Sequence, residues 1–330
     1  RNYTPWQVAI GAGFACGGFC IQFGCDWMAF LYASIAAIIG MRVRAKCNES
    51  GLNHYMGIAI SAFIATMLAW ASTLLPAEWT STPWHPLLAC ALFIVPGVPL
   101  INFVDDMLDN YIQVGIVRAV NTLLMVSAMA FGIAFAVKLC SIGDFFPTIS
   151  MVPHHNYLEY AISAMGFSMI FNIQRRLLWV VAIGGIIAVC TRNFVNLGPS
   201  TNNIGLDMGL VIGSFSGSVL VSLIAIKAVH WFHVPNHVLT IPSVIPMIPG
   251  VLMYRMLFGL INMNVQSIDQ VTPLMKAIES GVNSGLVIMC IALGVAIPNI
   301  FGRKYIASSK NKRLAEILKE RKARGKFVEW

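Results

Sequence analysis

The sequence is dominated by apolar runs that are long enough to cross a lipid bilayer. A spanning helix needs about 20 mostly apolar residues, because each residue adds about 1.5 Å along the helix axis. Runs of roughly this length, separated by charged residues or by proline, glycine and asparagine, lie near 6–23, 27–41, 52–75, 86–104, 111–139, 157–173, 177–191, 204–231, 237–260 and 273–301. The pattern predicts ten transmembrane helices.

Composition agrees with a protein whose solvent is lipid. Of the 330 residues, 57% are hydrophobic and only 11% are charged, and the mean hydropathy is +0.73. Ordinary water-soluble domains carry about 25% charged residues. Inside a bilayer, the polar backbone groups of an apolar run find partners only within their own helix. The fold class predicted is therefore an all-α polytopic membrane protein.

The second five runs repeat the first five. Three blocks recur in the same order, and their offset grows from 148 to 153 to 162 residues, as small insertions would require. The first copy of these blocks is Gly18-Phe19, Phe23, Ile38-Ile39 and Arg44, then Pro96-Gly97-Val98, then Val120-Asn121 and Gly132; the second is Gly166-Phe167, Phe171, Ile186-Ile187 and Arg192, then Pro249-Gly250-Val251, then Val282-Asn283 and Gly294. A unit with five spans starts and ends on opposite sides of the membrane, so we expect two inverted five-helix repeats, as in many transporters.

The duplication predicts the domain boundaries. We expect an N-terminal five-helix repeat at 1–140, a connecting loop at 141–156, a C-terminal five-helix repeat at 157–302 and a basic tail at 303–330. The tail carries ten Lys and Arg residues against three Glu. Such a tail could suggest nucleic acid, but anchoring to the anionic cytoplasmic leaflet is the commoner cause, so we expect lipid and no nucleic acid as its partner.

The distribution of Lys and Arg predicts the orientation. Basic clusters follow the second and sixth spans, and together with the tail they lie on one side of the ten-helix scheme. The loop at 76–84, on the other side, has no Lys or Arg. Because cytoplasmic loops carry the excess of these residues, both termini are predicted to be cytoplasmic. Arg192, which this scheme places outside, is the main conflict.

Two spans contain helix-breaking residues at matching positions of the two repeats. Pro96-Gly97 interrupts the fourth span and Pro249-Gly250 the ninth. Proline removes a backbone donor and glycine permits a bend or a close approach, so both helices should be broken or kinked. Paired breaks of this kind indicate a substrate site near the middle of the membrane. The alternative is that they are ordinary kinks for packing.

Polar side chains near the breaks are the candidate functional residues, because an ionised group in lipid costs at least about 2.5 to 3.5 kcal/mol. Arg255 is the leading candidate for a substrate carboxylate, since guanidinium offers two parallel donors; otherwise it snorkels to the interface. Asp105 and Asp106 are candidates for proton coupling, or belong to a solvated loop. The remaining substrate-binding candidates are Pro96, Gly97, Asn102, Pro249, Gly250 and Tyr254, and the other polar candidates are Arg118, Asn121, Asn172, Arg175, Arg176, Lys276, Glu279 and Asn283.

Motifs for catalysis, nucleotide binding and metal binding do not occur. The sequence has no Gly-rich loop ending in Lys-Ser or Lys-Thr, no HExxH and no GxSxG. His230, His233 and His237 are interrupted by Pro235, and the eight cysteines form no CxxC pair. We therefore expect no enzyme, no cofactor and no metal.

Specific motifs in both halves resemble one transporter family. They are Phe171-Asn172 with Arg175-Arg176, Pro249-Gly250 with Tyr254-Arg255, and, in the first half, Val95-Pro-Gly-Val-Pro-Leu-Ile-Asn102 with the acidic pair behind it. On these motifs nearly the whole chain resembles the threonine/serine exporter (ThrE) family. The resemblance implies a ten-span exporter of threonine and serine in the bacterial inner membrane, driven by the membrane potential or a proton gradient. Split relatives, with the halves on separate chains, look like dicarboxylate exporters.

The function expected is secondary-active export of small carboxylate-bearing metabolites by alternating access. Threonine and serine are the first candidates, and dicarboxylates such as succinate are the alternative. A non-transporting membrane scaffold or receptor, with packing kinks and a docking tail, is the alternative from another class. The expected partners are the small-molecule substrate and membrane lipid, and assembly into a homo-oligomer is left open.

Overall fold

The computed structural model describes residues 2–76, 78–142, 157–199, 204–261 and 271–323. These residues fold into helices joined by short connections, and they contain no strand. The α-helices are α1 (Pro5–Gln22), α2 (Trp27–Glu49), α3 (His54–Trp70), α4 (His85–Ala89), α5 (Gly97–Leu108), α6 (Ile112–Leu139), α7 (Tyr157–Ile170), α8 (Leu178–Asn196), α9 (Leu210–Phe232), α10 (Asn236–Val244), α11 (Gly250–Ile261) and α12 (Val271–Ala323).

The two halves have the same order of elements. Each has three helices, then a broken pair of shorter helices, then a long last helix. The neighbours match as well: α1 packs on α2, α2 on α3, α3 on α6 and α5 on α6, while α7 packs on α8, α8 on α9, α9 on α12 and α11 on α12. The halves join mainly where α1 packs against α7.

Within the described part of the chain, six helical segments are long and apolar enough to cross a membrane. They are Trp27–Glu49, His54–Leu74, Ile112–Leu139, Arg175–Asn196, Leu210–Val229 and Leu274–Gly302. The segments His85–Ile94 and Gly97–Leu108, bent by 53° to each other, would together make a seventh. Ten spans therefore stay a prediction: α1 is not among these candidates, and α7, α10 and α11 have only 14, 9 and 12 residues.

The predicted connecting loop and basic tail are only partly covered by the described residues. Most of the predicted connecting loop, residues 143–156, lies outside the described residues. The predicted basic tail begins inside α12, which continues as one helix through Pro298 to Ala323. Residues 324–330 lie outside the described part of the chain.

Local sequence explains where the first two helices begin. Thr4 caps α1 in a capping box, in which its hydroxyl accepts a hydrogen bond from the Gln7 backbone while the Gln7 side chain accepts one from the Thr4 backbone. Asp26 caps α2 by accepting a hydrogen bond of 2.8 Å from the Ala29 backbone. Its other carboxylate oxygen accepts hydrogen bonds from Thr80 and Ser81, which ties the connection after α3 to the start of α2.

Candidate functional site

The two broken helices meet in the centre of the fold. In the first half the chain passes through a 3-10 turn at Leu92–Ile94, and α5 begins at Gly97; in the second half a 3-10 turn at Ile245–Met247 precedes α11, which begins at Gly250. A Cβ atom on Gly97 would lie 2.8 Å from Ile248 Cδ1, and one on Gly250 would lie 2.5 Å from Leu92 Cδ2. The two breaks therefore pack directly against each other, and a larger residue at either glycine would make the Ile248 or Leu92 side chain move.

A cavity of about 290 Å³ lies beside the second break, and we name it the arginine cavity. Arg255 of α11 and Arg192 of α8 both line it. Other polar groups come from the C-terminal end of α1, from α7 and from the end of α8: Gln22, Tyr160, Asn193 and Asn196. The lining residues that the structure describes include two arginines and no Asp or Glu, and the carboxylate of Glu159 is buried next to the lining residue Tyr160.

Arg192 is held in place by its neighbours. Its Nε and Nη2 atoms donate hydrogen bonds of 3.1 and 3.0 Å to Asn193 Oδ1. Asn193 Nδ2 in turn donates a hydrogen bond of 3.2 Å to the hydroxyl of Tyr160 on α7. The chain of contacts orients the guanidinium before any anion arrives, which lowers the ordering cost of binding. Two arginines on one partly dehydrated cavity can bind carboxylates through charge-assisted hydrogen bonds.

A second cavity, of about 410 Å³, lies beside the first break, and we name it the aspartate cavity. Asn102 and Asp105 of α5, Arg118 of α6 and His237 of α10 line it. Asp105 Oδ2 lies 3.8 Å from His237 Nε2, and Asp106 Oδ2 lies 2.7 Å from Arg118 Nη1. The first pair connects α5 to α10, and the second connects α5 to α6. Asp105 and His237 are titratable groups at the wall of the cavity.

Several other predicted residues have structural contacts away from the cavities. Asn172, with a left-handed φ of 59°, accepts a hydrogen bond of 2.8 Å from the backbone of Asn2. Arg175 donates to the Asn2 carbonyl and to Gln7, and its guanidinium lies 5.5 Å from the centre of the Tyr3 ring. Burial raises the pKa of Tyr3, and the nearby Arg175 opposes that rise. These contacts fasten the N-terminal segment to the end of α7.

The remaining predicted residues do not line either cavity among the side chains that the structure describes. Asn121 accepts a hydrogen bond of 2.7 Å from the Tyr55 hydroxyl, and Arg176 donates to Gln174. Three candidates lie on the exposed face of α12: Lys276, Glu279 and Asn283. The side chain of Tyr254 lies outside the described atoms. Among the described residues, no group of three His, Cys, Asp or Glu side chains is close enough to hold a metal ion.

Of the six described polar side chains that line the arginine cavity, only Arg255 was predicted from the sequence. Arg192, Tyr160, Asn193 and Gln22 were not among the candidates, because they come from three different helices that only the fold brings together. One signal was available. The predicted orientation places Arg192 at the outer side of the membrane, where basic residues are uncommon. A basic residue at such a position in a span indicates a buried polar site.

Comparison with known proteins assigns both halves to one family. Residues 1–140 match the family described as "Putative threonine/serine exporter", and residues 156–301 match the one described as "Threonine/Serine exporter, ThrE". No solved structure matches the chain.

Two curated relatives are also similar to part of the chain. The "Probable succinate transporter subunit YjjP" of Klebsiella aerogenes is 28% identical over 138 residues, which is 42% of this chain and 53% of the relative. The protein of the same name from Escherichia coli (strain K12) is 29% identical over 138 residues, or 42% of this chain and 54% of the relative. The matches thus span about half the length of these relatives. With family matches on both halves and apolar helices throughout, the chain is a multi-pass membrane protein of the threonine/serine exporter (ThrE) family, with both of the family's membrane domains fused in one chain.

Proposed function

We propose that the protein is a secondary-active exporter of small carboxylate-bearing metabolites. The observation that carries the proposal is the arginine cavity, in which Arg192 and Arg255 line one space at the second helix break. A carboxylate needs a fixed cation in a partly dehydrated cavity, and guanidinium matches its geometry with two parallel donors. Membership of an exporter family supports the same conclusion.

The proposed mechanism is alternating access between two inverted halves. Ten spans would result if the short pairs α4–α5 and α10–α11 each crossed the bilayer as one broken helix. The equal order of elements and equal neighbours in the two halves support this arrangement. With both termini in the cytoplasm of a bacterial inner membrane, the arginine cavity would face outward and the aspartate cavity would face the cytoplasm.

Threonine and serine are the first candidate substrates. The family descriptions name them, and each carries a carboxylate that Arg255 could bind. Each also carries an ammonium group, for which the tyrosine hydroxyl and amide oxygens around the cavity are acceptors. Asn102 occupies the position of Arg255 in the first half, so only the second half would supply a cation at this level.

A dicarboxylate is the second candidate, and a separate observation favours it. Two arginines with no described carboxylate among the lining residues give two cations for two anionic groups. The name of the relatives, a probable succinate transporter subunit, points to the same class of substrate. Because each relative is a subunit, we also propose that the chain works in an oligomer.

Proton coupling is assigned to Asp105 in this proposal. Asp105 lines the aspartate cavity and faces His237, whereas Asp106 is paired with Arg118. A carboxylate beside a histidine at a cavity wall can exchange protons with the solvent as the transporter changes shape.

An efflux panel in proteoliposomes tests the proposal. Vesicles loaded with labelled threonine, serine, succinate or the neutral analogue succinamide are followed with and without an imposed proton gradient. We expect efflux of at least one carboxylate to exceed that of succinamide and of protein-free vesicles. Equal rates for all four solutes would contradict the proposal.

Removal of the basic tail separates a transporter from a scaffold. Truncation after residue 302 leaves both cavities intact, so a transporter should keep its efflux. A scaffold or receptor that docks through the tail would lose its function in cells, and its purified core would transport nothing.

A further inference from the structure

Four phenylalanines form a row between the two cavities. Phe23 lines the arginine cavity and Phe171 lines the aspartate cavity. Between them, the ring centres are 6.1 Å apart for Phe23 and Phe19, 5.8 Å for Phe19 and Phe167, and 6.2 Å for Phe167 and Phe171. The row is continuous, and each half of the chain supplies one outer and one inner ring, 148 residues apart in both cases.

The two inner rings lie at the most closed point of this row. Phe19 is 4% exposed and Phe167 is 3% exposed, and they meet edge to face at 84°. The void beside them, which Leu92 and Ile248 also line, has a volume of only about 10 Å³. A cavity must offer roughly 10–15 Å³ or more to hold even one water, and it needs polar partners as well. The void is at the lower limit of the space that one water needs, its lining is apolar, and it has no room for a metabolite.

Close packing of α1 on α7 fixes the two inner rings opposite each other. A Cβ atom on Gly166 would lie 2.4 Å from the backbone nitrogen of Ala15, and one on Gly18 would lie 2.3 Å from Ser163 Oγ. The glycines that precede Phe19 and Phe167 therefore let the helices touch at the backbone. The rings can part only by a rotation of their side chains or a movement of one helix against the other.

We propose that Phe19 and Phe167 form the gate that closes the path between the arginine cavity and the aspartate cavity. The inference rests on the proposed function, because it takes the two cavities to be the ends of one transport path. Both helix breaks border the gate through Leu92, Gly97 and Ile248, so a movement of either broken helix would be transmitted to the rings. The gate would thus open or close the path between the cavities in response to these movements, and neither of its two residues is charged.

Proton leak into proteoliposomes tests the gate without knowledge of the substrate. With a pH-sensitive dye inside, vesicles that carry Phe19→Ala or Phe167→Ala should acidify about threefold to tenfold faster than wild type after an acid pulse, because an aromatic contact of the barrier is lost. Phe19→Leu, which keeps an apolar plug, should stay near wild type. The matched control is Phe135→Ala, since Phe135 is 57% exposed and pairs with Phe63 at 5.4 Å, away from both cavities. A leak in Phe19→Ala no faster than in Phe135→Ala, with both proteins eluting as wild type does, would overturn the gate.

Thiol labelling provides a second test that leaves the phenylalanines intact. In a cysteine-free protein in sealed vesicles, Gln22→Cys in the arginine cavity and Asn102→Cys in the aspartate cavity should react with an impermeant reagent from opposite sides. Reaction of both from the same side would overturn the proposal, because no barrier would separate them. If wild type transports no carboxylate, the proposed function fails, and the leak and labelling results still decide the gate.

Discussion

The proposed binding of a carboxylate in the arginine cavity depends on two residues, Arg192 and Arg255. The sequence predicted Arg255 as a ligand of the substrate carboxylate from its place behind a helix break. Arg192 stood out only as an exception to the distribution of basic residues. The difference has a physical cause, because the break is a local signal in the sequence, while the approach of α8 to α11 depends on packing between distant segments. The hydrogen bonds that orient Arg192 through Asn193 and Tyr160 could not be predicted for the same reason.

Replacement of Arg255 by Lys tests bidentate recognition. Lysine keeps the charge but loses the planar pair of donors, so a role as a mere interfacial cation would tolerate it. We expect Arg255→Lys to lower substrate affinity roughly tenfold or more, the value of one charge-assisted hydrogen bond, measured as the half-saturating concentration in efflux. The control is Arg42→Lys, because Arg42 lies over the Trp6 ring, away from both cavities. Unchanged affinity in a well-folded Arg255→Lys protein would remove Arg255 from the site.

The ionisation of Asp26 should make the stability of the folded protein depend on pH. Partial burial acts to raise the pKa of Asp26, but hydrogen bonds from Ala29, Thr80 and Ser81 outweigh it, and the pKa lies below its ordinary value. A depressed pKa stabilises the folded state above the unfolded-state pKa of about 3.9, and this stabilisation is lost as the pH falls through the folded pKa.

We therefore expect Asp26→Ala to destabilise the protein by about 1 kcal/mol at pH 7, as the loss of a helix cap does. The difference from wild type should shrink progressively as the pH falls from about 3.9 through the lowered pKa of folded Asp26, where the wild-type carboxylate itself becomes protonated. Thermal unfolding in detergent across a pH series measures both effects. Glu78→Ala, an exposed carboxylate in the same connection, is the control, and an equal loss of stability in the two variants would contradict the assignment.

Among the helices, the two breaks at Pro96-Gly97 and Pro249-Gly250 are the features that the sequence predicted most clearly. Proline and glycine predicted that the fourth and ninth spans are interrupted, and the structure has helix ends at both places. Sequence could not predict that each break packs into the other, with Gly97 against Ile248 and Gly250 against Leu92. Nor could it divide the acidic pair, since Asp105 and Asp106 are adjacent in sequence but contact different helices, α10 and α6.

Their different partners predict different roles for Asp105 and Asp106. Asp105→Asn should remove the dependence of efflux on an imposed proton gradient, because it deletes the titratable group at the cavity. Asp106→Asn should keep that dependence and cost at most about 1 kcal/mol of stability, since its ion pair with Arg118 is partly exposed. Efflux at several imposed pH gradients decides between them. If both variants respond to pH as wild type does, Asp105 has no part in coupling.

At the scale of the whole molecule, the sequence predicted a helical membrane protein in two matching halves. The order of elements follows the predicted runs closely, because hydrophobic length is a strong signal for helices in lipid. The number of spans was harder to predict, since α7, α10 and α11 are shorter than their apolar runs. The continuation of α12 to Ala323 was missed because charge in the tail resembles a solvated segment, although Lys, Arg, Glu and Leu all favour helix.

Labelling of single cysteines tests the predicted orientation of the whole chain. The connection after α3 and the end of α2 should lie on opposite sides of the membrane. In a cysteine-free protein in cells, Glu78→Cys should react with an impermeant thiol reagent from outside and Asn48→Cys should not, and both positions are exposed. The reverse pattern, or reaction at both positions, would contradict cytoplasmic termini.

Counterflow in proteoliposomes decides whether Arg192 and Arg255 together bind the carboxylate that we propose is exported. Proteoliposomes loaded with unlabelled threonine or succinate are diluted into a trace of the labelled compound, so that exchange requires a binding site but no net driving force. Wild type should accumulate label with at least one of the two compounds, and Arg192→Gln/Arg255→Gln should not, while Arg42→Gln should match wild type. Accumulation by the double variant at the wild-type rate would mean that the two arginines do not form the carboxylate site.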